Sequence, residues 1–163
     1  MSTIDTMDIL ITGVVAGIAG TLTMDILNSA FSRPGFLAKI DVRLIGRMVA
    51  GWMRGQFRYN DPGEMKPVAN EIFIGYLAHY GIGVGLAVPF LLGWSLGFGE
   101  ITPPLWVFVY GVATTAASCF VVYPSMGQGL CGMKSENAKK NFISSLANHI
   151  FFALGMTVVV LLM

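Results

Sequence analysis

Four apolar stretches, each about as long as a bilayer is thick, constrain this chain more than any other feature. They cover residues 9–32, 72–97, 105–123 and 143–163. A helix needs about 20 such residues to cross a hydrocarbon core of ~30 Å. In lipid a segment this long must satisfy its own backbone, and only a helix does so within one stretch of chain. Composition agrees: 55% of the 163 residues are hydrophobic and 12% are charged, against about 25% charged in a soluble domain. The expected fold is all-α, an integral membrane four-helix bundle in a single transmembrane domain covering 1–163.

The connections set the orientation. Arg33, Lys39, Arg43, Arg47, Arg54, Arg58 and Lys66 lie between the first two spans, and Lys134, Lys139 and Lys140 between the last two. These are all ten basic residues of the chain. The connection at 98–104 holds only Glu100 and the Pro103–Pro104 pair. Loops rich in Lys and Arg stay cytoplasmic. The expectation is therefore a multi-pass protein with both termini on the non-cytoplasmic side. The first residues carry no Lys or Arg, so they lack the basic start of a cleavable signal, and the first span is read as retained. A net charge of +1 predicts no nucleic-acid partner; the predicted partner is the lipid bilayer.

The first loop contains a pattern of its own. Leu44, Ile45, Met48, Val49 and Trp52 recur at helical spacing, with Arg43, Arg47 and Arg54 on the other side. This predicts a cytoplasmic interfacial amphipathic helix over about 40–57, lying in the headgroup region or packed across the mouth of the bundle. Pro62, Gly63 and Pro67 end it before the second span.

Ionisable groups inside spans are costly, at about 2.5–3.5 kcal/mol on insertion scales. Asp25, His79 and His149 are the three clear cases. Given the orientation, each falls six or seven residues from the cytoplasmic end of its span, a depth of roughly 10 Å at 1.5 Å per residue. Polar stripes extend the layer: Thr21, Asp25 and Asn28 on the first span, Glu71, Gly75 and His79 on the second, Asn141, Ser145, Asn148 and His149 on the fourth. Thr114, Thr115 and Ser118 lie near the same level on the third. The expected site is a polar pocket open to the cytoplasm. Asp25 bears its charge, His79 and His149 titrate or ligate, and Asn28, Glu71, Tyr80 and Asn148 surround them.

Several readings of that layer stand. It can be a structural Asp–His network. It can relay protons or carry an ion, since His titrates near neutral pH. Asp25, His79 and His149 can ligate a divalent metal, and two His can hold a haem iron axially. The leading reading is a non-enzymatic protein that binds or transports a small solute or ion. A membrane-embedded metal-dependent enzyme and an accessory subunit of a larger membrane complex, or an oligomer, are the alternatives.

Other motifs carry less. Residues 127–132 match G-x-G-x-x-G literally but follow a membrane helix rather than a strand, so they read as a glycine turn. Lys134, Lys139 and Lys140 beside it are candidates for anion or headgroup contact. Gly13 with Gly17, Gly81 with Gly85 and Ala113 with Ala117 read as helix-packing faces, and Pro89 as a kink. Cys119 and Cys131 form no C-x-x-C pair, and neither a structural disulfide nor a metal site on both is expected. Spacing alone defines no Ser–His–Asp or Cys–His arrangement.

Taken in order, several short motifs resemble a family of bacterial four-span membrane proteins catalogued as domain of unknown function 2938. They are Gly20-Thr-Leu-Thr-Met-Asp25, Ile45-Gly-Arg-Met48, Gly55-Gln-Phe57, Glu71, His79-Tyr80, Pro124 with Gly127 and Gly129, and His149-Ile-Phe-Phe-Ala-Leu-Gly155. The resemblance covers nearly the whole chain. One departure is Tyr59, where members often carry His, which weakens a metal reading. The resemblance implies a compact four-helix fold in the bacterial inner membrane and no established activity.

Overall fold

The computed structural model describes residues 6–99 and 101–163. The residues before Thr6, and Glu100 in the connection between the second and third spans, lie outside the described part. The described chain is helical, with no strand among the described residues. Among the described residues, four helices are long and apolar enough to cross a membrane: α1 (Thr6–Ser32), α3 (Glu71–Phe98), α4 (Pro104–Ser125) and α5 (Ala138–Leu162). Between α1 and α3 lies the shorter α2 (Val42–Trp52). The protein is a multi-pass membrane protein. The helices run past the apolar stretches, most clearly in α5, which takes in Lys139, Lys140 and Asn141. Backbone hydrogen bonding does not stop where hydropathy does.

Two helices depart from simple expectation. α3 continues through Pro89. α4 is regular to Ala113 and again over Thr115–Ala117; Ser118–Val122 is a π-helical turn, closed by the Tyr123 N–H donating to the Ser118 carbonyl. Pro124 supplies the cause. It has no N–H for the Phe120 carbonyl, and its ring would crowd that carbonyl in a regular helix, so the preceding turn widens.

The chain forms two compact units. The first holds Met1–Leu27, Tyr80–Thr114 and Asn148–Met163; the second holds Asn28–His79 and Thr115–Ala147. In the first unit helices approach through glycine. A methyl group on Gly17 would lie 2.6 Å from the Val84 Cα, and one on Gly111 would lie 2.7 Å from the Ala153 Cα. α1 meets α5 where Gly20 faces the Phe152 ring and Gly155 faces the Ala19 carbonyl. Ala16, Val107, Ala153 and Met156 are fully buried around these contacts. Small residues let backbones approach in lipid, where packing replaces the hydrophobic drive. Gly13 and Gly17 thus pack as expected. Gly81 and Gly85 do not: a methyl group on either would have no heavy atom within 4 Å among the described residues, and α3 meets Thr21 of α1 through Gly83 instead. Ala113 is exposed.

The second unit is built around α2. Asp41 caps it, accepting a hydrogen bond from the Arg43 N–H. Its apolar face does not lie open. Ile45 and Met48 are buried with Tyr59, Met65 and Met126, and Leu44, Val49, Trp52, Ala78 and Val122 pack around them. Ile45 and Met48 thus pack on protein. Tyr59 is a core residue here, its ring against Gly51. α2 crosses the start of α3 at two reciprocal glycines: Gly46 rests on the Glu71 carbonyl and Gly75 on the Val42 carbonyl.

Candidate functional site

The polar residues singled out from the sequence divide between the two units. Asp25, Tyr80, Asn148 and His149 belong to the first unit, and Asn28, Glu71 and His79 to the second.

In the second unit two of the three residues hold the fold. Glu71 forms a two-pronged ion pair with Arg47, Nε to Oε2 at 2.7 Å and Nη2 to Oε1 at 3.0 Å. The same carboxylate accepts the Val68 N–H at 3.2 Å. Arg47 also reaches the Met65 carbonyl, and the Glu71 hydrogen bond holds its guanidinium firmly charged. Glu71 thus ties α2 to α3. The i, i+4 stripe of Glu71 and Gly75 faces α2, which is what brings the carboxylate to Arg47. Asn28 acts similarly on the chain after α1. Its Nδ2 donates to the Ala38 carbonyl at 3.0 Å and its Oδ1 accepts the Ile40 N–H at 3.2 Å, as a strand neighbour would. The Ala38 N–H donates to the Ser144 hydroxyl of α5 at 2.7 Å. Asn141, on the polar strip of α5, donates to Ser135 and accepts from the Tyr123 hydroxyl through its carbonyl. His79 is half-buried on α3, one residue before Tyr80. Arg47 and Ser144 were missed from the sequence, because their partners lie in other segments and no local spacing signals them.

The first unit keeps the polar groups of the spans in pairs. The Tyr80 hydroxyl of α3 donates to the Asp25 Oδ2 of α1 at 3.2 Å. Thr114 of α4 and His149 of α5 meet at 2.7 Å through Oγ1 and Nδ1. The second pair has a direction. The Thr114 Oγ1 lies 2.5 Å from the Gly111 carbonyl oxygen, and two oxygens that close require a proton between them. A hydroxyl has one proton, so Oγ1 accepts from His149, and Nδ1 carries a hydrogen. Asn148 and His149 are both 8% exposed, and Thr21 is 2% exposed. The Phe152 ring meets the His149 ring edge-on.

This arrangement supplies one carboxylate and one imidazole, each bonded to a hydroxyl from another helix. Metal binding finds less support. Among the described residues no three His, Cys, Asp or Glu side chains group closely enough to hold an ion. The glycine run after α4 is a turn: Gly127, Gly129 and Gly132 all have positive φ. Gly127 lies against the Asp61 backbone, where a methyl group would come within 2.7 Å. Lys134 points its amine at the Asn60 carbonyl at 3.5 Å.

The profile of a protein family described as "Protein of unknown function (DUF2938)" matches residues 14–163. The chain belongs to that family. No curated protein matches it, and no solved structure does. The match takes in both units, with every polar residue discussed above.

Proposed function

We propose that the protein binds a small cation within its spans and carries it across the membrane, with the proton as the simplest case. Asp25 is the exchanging group, Tyr80 its hydrogen-bond donor, and His149 and His79 further titratable groups. The single observation that supports this reading is the Asp25–Tyr80 hydrogen bond between two of the spans. A carboxylate inside a span is retained where its charge is used. The Thr114-held His149 adds an imidazole, a group that exchanges protons near neutral pH. In the orientation drawn from the ten basic residues, both termini face away from the cytoplasm and this chemistry lies toward the cytoplasmic side.

The test is proton flux into proteoliposomes carrying an internal pH-sensitive dye, driven by a potassium diffusion potential. Wild-type protein should acidify the lumen well above empty liposomes, Asp25→Asn should remove the excess, and Tyr80→Phe should reduce it. Wild-type vesicles no leakier than empty ones overturn proton carriage and leave Asp25 a structural role.

A second reading, assembly with another copy or with a larger complex, rests on a separate observation. Of the four spans, α3 has the least of its apolar window buried, 17% against 44% for α5. Gly81, Gly85, Gly93 and Gly97 repeat every fourth or eighth residue along it, with nothing near them among the described residues. Glycines so spaced suit a close helix partner in lipid. Cross-linking in native membranes should trap a neighbour on this face, and Gly85→Leu should prevent it.

A further inference from the structure

The two cysteines lie in different parts of the chain, and the sequence offers no reason to connect them. The fold does. Cys119 is buried within the π-helical turn of α4, and Cys131 is half-buried in the short 3₁₀ turn Leu130–Gly132. That turn packs directly on the Ser118–Val122 segment. The two thiols are free, and they lie on the two segments that this packing brings together. The backbone at Cys131 is unusual as well. Its φ is +48°, in the left-handed region, within a run where Gly127, Gly129 and Gly132 take the other positive values. Glycine or asparagine would occupy such a position without the strain a cysteine carries. Both ends of the contact are thus irregular: a widened helical turn on one side and a strained residue on the other. Irregular turns of this kind gather at functional sites.

We propose that Cys119 and Cys131 are a reversible disulfide pair, oxidised by a peroxide and reduced by a dithiol. Cys131, the more accessible, reacts first. Its thiolate attacks one oxygen of hydrogen peroxide, the O–O bond breaks, and Cys131 becomes a sulfenic acid while hydroxide leaves and takes up the proton the thiol gave up. The Cys119 sulfur then attacks the sulfenic sulfur, forming the S–S bond, and the sulfenic oxygen departs as water with the Cys119 proton. Two thiols and one peroxide give one disulfide and two waters. A dithiol restores both thiols by two exchange steps, leaving as its own disulfide. The bond ties the 130–132 turn to α4 at its π-helical turn. Intracellular disulfides are characteristically transient and redox-sensing, which suits a pair whose more accessible member, Cys131, lies on the loop that the basic residues assign to the cytoplasm.

The experiment uses the full-length protein in detergent and in native membranes. It is treated with graded hydrogen peroxide, alkylated after denaturation, and digested for mass spectrometry. The expected result is joint loss of both alkylation sites, appearance of a linked Cys119–Cys131 peptide pair in the monomer, and recovery of both thiols with dithiothreitol. Cys119→Ser should accumulate a sulfenic acid at Cys131 that a dimedone probe captures, whereas wild type should yield little. Cys131→Ser should leave Cys119 unoxidised at the same dose. Each variant is first shown to keep the wild-type thermal midpoint and elution volume. Both thiols remaining alkylatable after peroxide, oxidation of Cys131 onward to sulfinic acid in wild type, or linkage only between separate chains would each overturn the proposal.

Discussion

At the scale of single residues, the side chains in this protein do quite different work from what their polarity alone suggests. Asp25 and Asn28 sit three residues apart on α1. Asp25 accepts from a tyrosine of another span, while Asn28 clamps the backbone after its own helix. Asp41 shows how a charge outside the spans contributes. It caps α2 and bonds to the Arg43 guanidinium at 2.7 Å. The Arg43 hydrogen bond holds its carboxyl below the usual value, against the opposing pull of partial burial. A carboxyl lowered in the folded state binds its proton less tightly there than in the unfolded chain. Its stabilising contribution is therefore complete above the unfolded value and disappears as pH falls through the folded one, in the window below about pH 4. Hydrogen exchange of the α2 amides should accelerate, after correction for intrinsic rates, on moving from pH 6 into that window. Asp41→Ala should accelerate it at pH 6 already, with a capping loss of about 0.5–2 kcal/mol. Unchanged protection of α2 in both cases would show that the cap is not what holds it.

At the scale of elements, the decisive feature is how closely α2 and α3 cross. Gly46 and Gly75 each face a backbone carbonyl of the other helix. A backbone carbonyl cannot rotate aside as a side chain can, so an added methyl must push the helices apart. Gly75→Ala is expected to cost about 1–3 kcal/mol, the range for overpacking a closed interface. It should also stretch the Arg47–Glu71 pair, which lies beside the crossing. A thermal melt in detergent measures the first effect. Gly85→Ala is the control, because a methyl there meets nothing among the described residues. Equal midpoints for the two variants would contradict the crossing. α4 adds the second lesson of this scale. Its π-helical turn follows from Pro124, visible in the sequence as a proline near a span's end. Its consequence, a widened turn packed against the Cys131 loop, depends on a segment that comes later in the chain.

At the scale of the whole molecule, orientation is the property on which the functional proposal depends. All ten basic residues fall between the first and second or between the third and fourth apolar stretches, and retention of such segments on the cytoplasmic side is a strong bias. Fusions after Met163 should give active alkaline phosphatase and dark green fluorescent protein. The same reporters inserted after Gly35 should behave in the opposite way. Bright fluorescence from the C-terminal fusion would reverse the orientation and place the Asp25 and His149 chemistry toward the other face.

What the sequence determined by itself was the set of spans, the helix in the first loop, and the identity of the polar residues inside the membrane. Those depend on length, hydropathy and helical period, which act within one segment at a time. The family followed too, because its motifs are local and ordered. Only the tertiary structure decided what each polar residue does. Glu71, singled out among the polar residues, pairs with Arg47, because a glycine crossing brings α2 onto the first turn of α3. Asp25 and His149 acquired their hydroxyl partners, Tyr80 and Thr114, from other helices. The segments that carry Cys119 and Cys131 came to pack on each other, which no spacing rule describes. A hydrogen bond or an ion pair requires two groups within about 3 Å. Distances that short between separate helices are set by how backbones pack, and packing is a property of the folded whole.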